Sequence, residues 1–318
     1  MRIEVQNLSR YRTISRPGDD VPLVLPGAVF GVFDGATDPR GTVVNGIGAG
    51  RLAALTVAEA TAALALQAGA RDGSGPDILA HLSDRLARRT RPLDLPIPPS
   101  TTAAMALDCG DHWRFLAIGD TGIRLNGDAV LRHEKPIDGI STHARVQVFK
   151  ALAQDGPATD ETEAATRRAI FLGLDLAVRE GVLTRARADG IIAATIRERG
   201  GEAQGDLVAA FLRGGIRIQH EFSNDPASPL GFDTLNGTLP RRGEWLDFTR
   251  PKAAVRSIEI FSDGYPDIPS EVSVAAWEAA FHGAEAEDVH KIGRFATVKG
   301  STAAEFFDDR TVIVIDRL

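Results

Sequence analysis

Ile258-Glu259-Ile260-Phe261-Ser262-Asp263-Gly264 is an apolar run that reads as a buried strand and ends on a carboxylate. The pattern recurs along the chain. Val32-Phe33-Asp34-Gly35 and Ala117-Ile118-Gly119-Asp120 also end on an aspartate. Phe307-Asp308-Asp309-Arg310-Thr311-Val312-Ile313-Val314-Ile315 places two of them just before an apolar run. A carboxylate is costly to bury unless it is paired or bound to metal. Such strand ends from distant parts of one chain suggest convergence on a hard cation, which prefers oxygen ligands. Taken singly, each Asp-Gly is an ordinary turn signal. The joint pattern has more weight, because hairpin turns facing solvent usually carry more polar flanks.

Around these ends the chain divides into runs of strand and runs of helix. Short strands are predicted at Arg2–Asn7 and Ser9–Ile14, followed by a turn at Arg16-Pro17-Gly18-Asp19-Asp20. Val21–Leu25 and Ala28–Phe33 bracket Pro26-Gly27 and predict a hairpin. Asn45–Gly69, rich in Ala and Leu without proline, predicts a helix. So does Pro76–Arg89, with apolar residues at Ile78, Leu79, Leu82 and Leu86. Beyond the proline-rich Arg91–Pro99, closely spaced strands at Thr101–Leu107, Trp113–Ile118, Ile123–Asn126 and Ala129–His133 predict an antiparallel meander. Residues 137–214 read as mostly helical, over Ile137–Gln154, Asp160–Glu180, Arg187–Arg199 and Asp206–Arg213. Strand returns at 216–222 and 243–262, helix at Ser270–Phe281 and Ala284–Ala296, and Phe307–Ile315 closes as a strand. Segregated runs of this kind predict an α+β fold. The arrangement expected is a four-layer α-β-β-α sandwich with two central, mostly antiparallel sheets. Residues 1–318 would form one domain, with a helical insertion or flap at about 137–214.

Composition narrows the function. The chain is 43% hydrophobic and 25% charged, with a net charge of −7. An acidic chain argues against broad binding to nucleic acid, and the basic run Arg85, Arg88, Arg89 and Arg91 reads as a solvated helix face. The longest apolar-rich stretch, Leu52–Gly69, carries Thr56, Glu59, Thr61 and Gln67 and reads as a core helix, so no membrane association is expected. A single cysteine, Cys109, and an N-terminus without a signal-peptide core suit a cytoplasmic protein. The seven histidines are scattered without zinc-ligand spacing. No Gly-x-Ser-x-Gly supports a serine nucleophile. Gly46-x-Gly48-x-Gly50 has the wrong spacing for a dinucleotide site and reads as glycines that let a helix and a sheet approach closely.

The motifs resemble those of the metal-dependent protein phosphatases of type 2C. Phe30-Gly31-Val32-Phe33-Asp34-Gly35 is similar to that family's first metal-binding strand. Ser100-Thr101-Thr102-Ala103 and Leu116-Ala117-Ile118-Gly119-Asp120-Thr121 resemble its Ser-Thr-Ala strand and Val-Gly-Asp-Ser strand end. Ser262-Asp263-Gly264-Tyr265-Pro266-Asp267 resembles the Asp-Gly-Leu-Trp-Asp motif, and Asp308-Asp309-Arg310-Thr311-Val312 the closing Asp-Asn-x-Thr-Val. The motifs stand in the family's order over residues 28–315.

The resemblance implies two Mg²⁺ or Mn²⁺ ions, with Asp34 bridging both, the Gly35 carbonyl on one, and Asp263 and Asp308 on the other. A third, weaker ion would sit near Asp120 and Asp267, and Asp19 or Asp20 would serve the second metal through water. Arg16 would clamp phosphate, with Arg12 as the fallback. The implied activity is hydrolysis of phosphomonoesters, phosphoserine or phosphothreonine in a protein partner, by a water activated between the metals, with Asp34, Asp263 and Arg16 as the catalytic set. Two departures stand out. Arg16-Pro17-Gly18-Asp19-Asp20 alters the family's early Arg and Glu-Asp spacing, and Ala36 replaces the histidine that eukaryotic members have after the first Asp-Gly. Two alternatives remain, a small-molecule phosphatase on the same fold and a non-catalytic binding or regulatory protein. Against the second, grouped carboxylates without metal would repel one another.

Overall fold

The computed structural model describes residues 1–67, 69–154, 158–200 and 202–316. In chain order, β1 (Arg2–Leu8), β2 (Val21–Leu25) and β3 (Val29–Gly35) precede a short ribbon of β4 (Val43–Val44) and β5 (Ile47–Gly48). Helices α1 (Ala49–Ala65) and α2 (Gly75–Thr90) lead to β6 (Thr101–Asp108), β7 (His112–Ile118), β8 (Gly122–Leu125) and β9 (Ala129–Leu131). A helical block follows: α3 (Pro136–Ala153), α4 (Asp160–Leu172), α5 (Leu174–Arg179), α6 (Arg185–Thr195) and α7 (Gly205–Gly214). β10 (Trp245–Pro251), β11 (Ser257–Phe261), α8 (Val274–Glu287) and β12 (Arg310–Asp316) complete the order. One five-stranded sheet runs β1-β12-β11-β8-β9 and the other β10-β7-β6-β3-β2, each with antiparallel pairings.

Alternation along each strand builds the layers. Phe30, Val32, Ala104, Ala106, Phe115 and Ala117 of one sheet meet Ile123, Leu125, Ile258, Ile260, Ile313 and Ile315 of the other. The next residues along the strands, Val29, Phe33, Met105 and Leu116, face the opposite way and pack with Val57, Leu64, Leu79 and Leu82 of α1 and α2. On the far side Phe261, Val312 and Val314 pack with Trp277 and Phe281 of α8. The expected α-β-β-α layering is therefore present. Helices α3 to α7 enclose an apolar cluster of their own, including Ala144, Val148, Ile170, Leu174, Ile191 and Phe211, joined by Leu230 and Phe232. Among the described residues, no helix is long and apolar enough to cross a membrane.

Local chemistry explains the element ends. The Ser74 and Ser273 hydroxyls accept from the Asp77 and Ala276 amides and cap α2 and α8. Helix α1 begins where a Cβ on Gly50 would lie 2.4 Å from the Ala36 carbonyl oxygen, and one on Gly35 2.4 Å from the Gly50 carbonyl carbon. Glycine on both sides lets the helix start abut the end of β3, the close approach of helix and sheet expected of Gly50.

Several elements differ from the sequence reading. The meander breaks at Gly119, where φ is +79°; β7 pairs with β6 and β10, while β8 crosses to the other sheet and pairs with β11 and β9. Residues 216–222 alternate like a strand but form a 3₁₀ turn, because Ile216, Ile218 and Phe222 pack on the helical cluster. The helix predicted over 284–296 is absent: α8 stops at Glu287, and the Asp288 carboxylate accepts from the amides of Ile292, Gly293 and Phe295, folding that segment into a turn. Ser9–Ile14 makes only an isolated bridge, Tyr11 with Glu305. Asp160–Glu180 is split at Gly173 (φ +97°), where a Cβ would strike the Arg213 carbonyl oxygen at 2.1 Å.

The ends of β11 and β12 approach closely at Gly264, where a Cβ would fall 1.9 Å from the Asp309 carbonyl oxygen. Gly264→Ala should therefore cost about 1–3 kcal/mol of stability. Urea denaturation checks this, and an unchanged midpoint would mean that the two strand ends can separate freely.

Candidate metal centre

Because neighbouring strands run in opposite directions, the ends of β3, β7 and β11 and the starts of β2, β6, β8 and β12 lie at one end of the sandwich. Asp34 continues the alternation of Phe30 and Val32, so it belongs to the face between the sheets. Asp120 sits in the turn between β7 and β8, Asp263 two residues past β11 and Asp308 two residues before β12. Carboxylate oxygens of Asp34, Asp120 and Asp263 lie within 4.8 Å of one another. Asp308 and Gly35 line the same cavity, of about 180 Å³.

Asp20, 2% exposed, lies just before β2. Its Oδ2 accepts from the Ser262 hydroxyl at 2.7 Å, and the Ser262 oxygen in turn accepts from the Thr311 amide at 2.9 Å. This chain of contacts ties the start of β2 to the ends of β11 and β12.

Burial dominates the electrostatics. Burial first, then the nearby charges of Asp20, Asp308 and Asp120, hold the Asp34 carboxyl well above the ordinary aspartate range. Burial, then Asp34, Asp120 and Asp308, does the same to Asp263. Asp20 is pushed up to about 8 by burial and by Asp309, against the opposing hydrogen bond from Ser262. Among the described residues, no Lys or Arg nitrogen forms a salt bridge with Asp34, Asp263 or Asp20, whereas Asp120 and Asp308 each have a lysine partner. An all-oxygen donor set of clustered, unneutralised carboxylates fits Mg²⁺ or Mn²⁺.

Three cations that the sequence reading missed complete the site. Lys135 Nζ lies 2.8 Å from Asp120 Oδ2 and 3.4 Å from Asp138 Oδ2. Although burial would lower the lysine pKa, Asp120 and Asp138 outweigh it and hold it well above its ordinary value. Lys299 Nζ lies 2.7 Å from Asp308 Oδ2. Arg10 Nη1 donates to Asp309 at 2.8 Å and to Asp19 at 3.5 Å. Asp309 also accepts from the amides of Arg10 and Asp19 and so clamps the segment before β2. Only the Lys135–Asp138 contact has a local spacing, three residues at the start of α3; the other pairs carry no recognisable one.

Other expected residues lie elsewhere. Arg16 is exposed, with its guanidinium over the Tyr11 ring, and Arg12 donates to the Thr302 carbonyl and lies over Phe306. Neither lines the cavity; the segment that carries them turns outward once Arg10 is held by Asp309. Asp267 is not among the carboxylates that lie within 4.8 Å of one another. Past Gly264 the buried Tyr265 anchors against Trp277, and the Asp267 carboxylate faces Arg294 at 3.5 Å.

No family model matches the chain, and no curated protein is similar to it. Among solved structures, it is similar to the Mycobacterium tuberculosis serine/threonine phosphatase PstP/Ppp, at 17% identity and a TM-score of 0.45, over 99% of this chain and 97% of that one. It is also similar to PppA, described as a key regulatory component of T6SS in Pseudomonas aeruginosa, at 13% identity and a TM-score of 0.46, over 100% and 97%. A third is the catalytic domain of PstP in complex with two manganese ions, at 15% identity and a TM-score of 0.41, over 99% and 97%. The fold assignment rests on the two sheets and their helices described above.

The raised acids set a pH dependence. Without a cation the folded state keeps protons that the unfolded chain releases, so these groups favour folding below about pH 4, the unfolded aspartate value. That stability is lost as pH rises through the folded values, about 8 for Asp20. In EDTA the melting temperature should fall over this window, and millimolar Mn²⁺ or Mg²⁺ should reverse the fall. A flat profile in EDTA would mean that the chain's own cations already neutralise the cluster.

Proposed function

We propose that this chain is a cytoplasmic phosphomonoester hydrolase of the type 2C kind that depends on Mg²⁺ or Mn²⁺, with phosphoserine or phosphothreonine of a protein as its substrate. The observation that supports this best is the meeting of Asp34, Asp120 and Asp263 within 4.8 Å, from strand ends scattered over the chain. Asp34, Asp263 and Asp308 would hold two ions together with the Gly35 carbonyl, and Asp20 would act from behind them through water. Bound divalent ions supply Lewis acidity at the phosphoryl oxygens and a water nucleophile at neutral pH. The chain's own part is to fix the carboxylates on rigid strand ends, to exclude bulk water and to offer positive charge to the phosphoryl group. Residues 137–214 are read as an insertion within one domain; Asp138 and Phe171 from it, and the turn that follows it, help to wall the cavity.

That wall favours a second reading. Phe171, Ile216, Arg217, Gln219 and His220 close one side of the cavity, as suits a compact phosphate ester. Comparing phosphopeptides with sugar and nucleotide phosphates separates the two substrate classes.

p-Nitrophenyl phosphate is the first assay, because its leaving group departs without a proton and Ala36 cannot limit it. Hydrolysis should require Mn²⁺ or Mg²⁺ and cease in EDTA. Asp34→Asn or Asp263→Asn should lower kcat/KM at least about a hundredfold, roughly 3 kcal/mol of transition-state stabilisation. Either variant with full metal-dependent activity would refute the site.

A further inference from the structure

The helical block carries a charged pair that the metal centre does not explain. Arg145 on α3 and Glu163 on α4 are both 0% exposed and bonded to each other. Burying such a pair is costly, and its attraction alone often fails to offset the desolvation. Nearly all their remaining hydrogen bonds go to the backbone of one segment. Arg145 donates to the carbonyls of His290 at 2.7 Å, Lys291 at 2.7 Å and Thr297 at 3.3 Å. Glu163 Oε1 accepts the Gly300 amide at 2.7 Å, and Arg167 donates to the Gly300 carbonyl at 2.9 Å. The backbone on both sides of Lys299 is therefore fixed by the helical block.

Lys299 differs from the other lysine at the site. Lys135 is held between two carboxylates, Asp120 and Asp138, and stays neutralised if one of them turns to a metal. Lys299, only 5% exposed, has one carboxylate, Asp308, and a weak contact to the Thr37 hydroxyl at 3.4 Å. It lines both this cavity and a neighbouring one of about 620 Å³, which share Asp120, Lys135, Asp263 and Asp308. Once Asp308 is engaged by a cation, the Lys299 ammonium faces the cavity with no carboxylate in direct contact, Asp19 being beyond salt-bridge distance and already held by Arg10. A phosphoryl dianion supplies one. Of the other cations, Arg16 and Arg12 are elsewhere, Arg10 is saturated by Asp309 and Asp19, and Arg217 lines the cavity with its Nε on the Gly214 carbonyl, whereas Lys299 is in direct contact with Asp308.

We propose that Lys299 binds the phosphoryl group and that the buried Arg145–Glu163 pair is its positioning device. The proposal rests on the phosphatase reading. The test is calorimetric titration of inorganic phosphate into Mn²⁺-loaded protein, with Mn²⁺ uptake measured separately. Lys299→Met should weaken phosphate about ten- to a hundredfold, the scale of one charged hydrogen bond. Its Mn²⁺ uptake should be kept or tightened, since a competing cation has left Asp308. Lys299→Arg should recover most of the affinity. Glu163→Gln should weaken phosphate several-fold and raise KM more than it lowers kcat, with the Mn²⁺ isotherm unchanged. Wild-type phosphate affinity in Lys299→Met with normal Mn²⁺ uptake would overturn the proposal and leave the metal reading intact. Failure of the wild type to take up Mn²⁺ would overturn both.

Discussion

Aspartates gathered at one apolar end of a β-sandwich repel one another, and much of the nearby structure is arranged around that repulsion. Apolar packing between the sheets puts them there: the alternation that buries Phe30 and Val32 also commits Asp34 to the inner face. The core contacts are far more numerous than the acids and fix the strands regardless of the local cost. The cluster thus stays assembled at a level of strain that a bound cation can relieve.

The chain's own cations divide the acids into two groups. Arg10, Lys135 and Lys299 neutralise Asp309, Asp120 and Asp308 respectively, while Asp34, Asp263 and Asp20 have no such partner among the described residues. The division leaves the acids at the inner ends of β3 and β11 without a cation partner, so that burial favours their protonated form until a cation displaces the proton. The helical block holds both lysines, Lys135 at the start of α3 and Lys299 in the segment gripped by Arg145 and Glu163. The block therefore contributes to the electrostatics of the site as well as to its shape.

The sequence makes the sandwich and the aspartates legible because both are local signals. An apolar run bounded by a turn marks β3, β11 and β12, and the carboxylate at its end is read in the same glance. Elements that depend on tertiary partners are less legible. The 216–222 segment has a strand's alternation but no neighbouring strand edge, and packs on helices instead. The end of α8 is set by one side chain, Asp288, that accepts three amides. Lys135 and Lys299 carry no motif, since their contacts with Asp120 and Asp308 form only when the loops that carry them meet at the end of the sandwich. Arg16 illustrates the reverse case: its place beside Asp19-Asp20 in sequence made it the expected phosphate clamp, yet Arg10 is the residue that reaches the acids.

The pairing of β1 with β12, from Arg2 opposite Asp316 to Leu8 opposite Arg310, has a consequence for timing. Asp34 leaves the ribosome with its hairpin, but Asp263 and Asp308 follow only after the helical block has been made. A half-made chain can hold no complete nest of oxygens, however much cation surrounds it. Ion capture would then favour only the chain whose last strand has joined β11 and brought Asp308 to the site, and mass action would pull the chain through that non-local pairing. The cation would thus serve as a latch on assembly before it serves any chemistry.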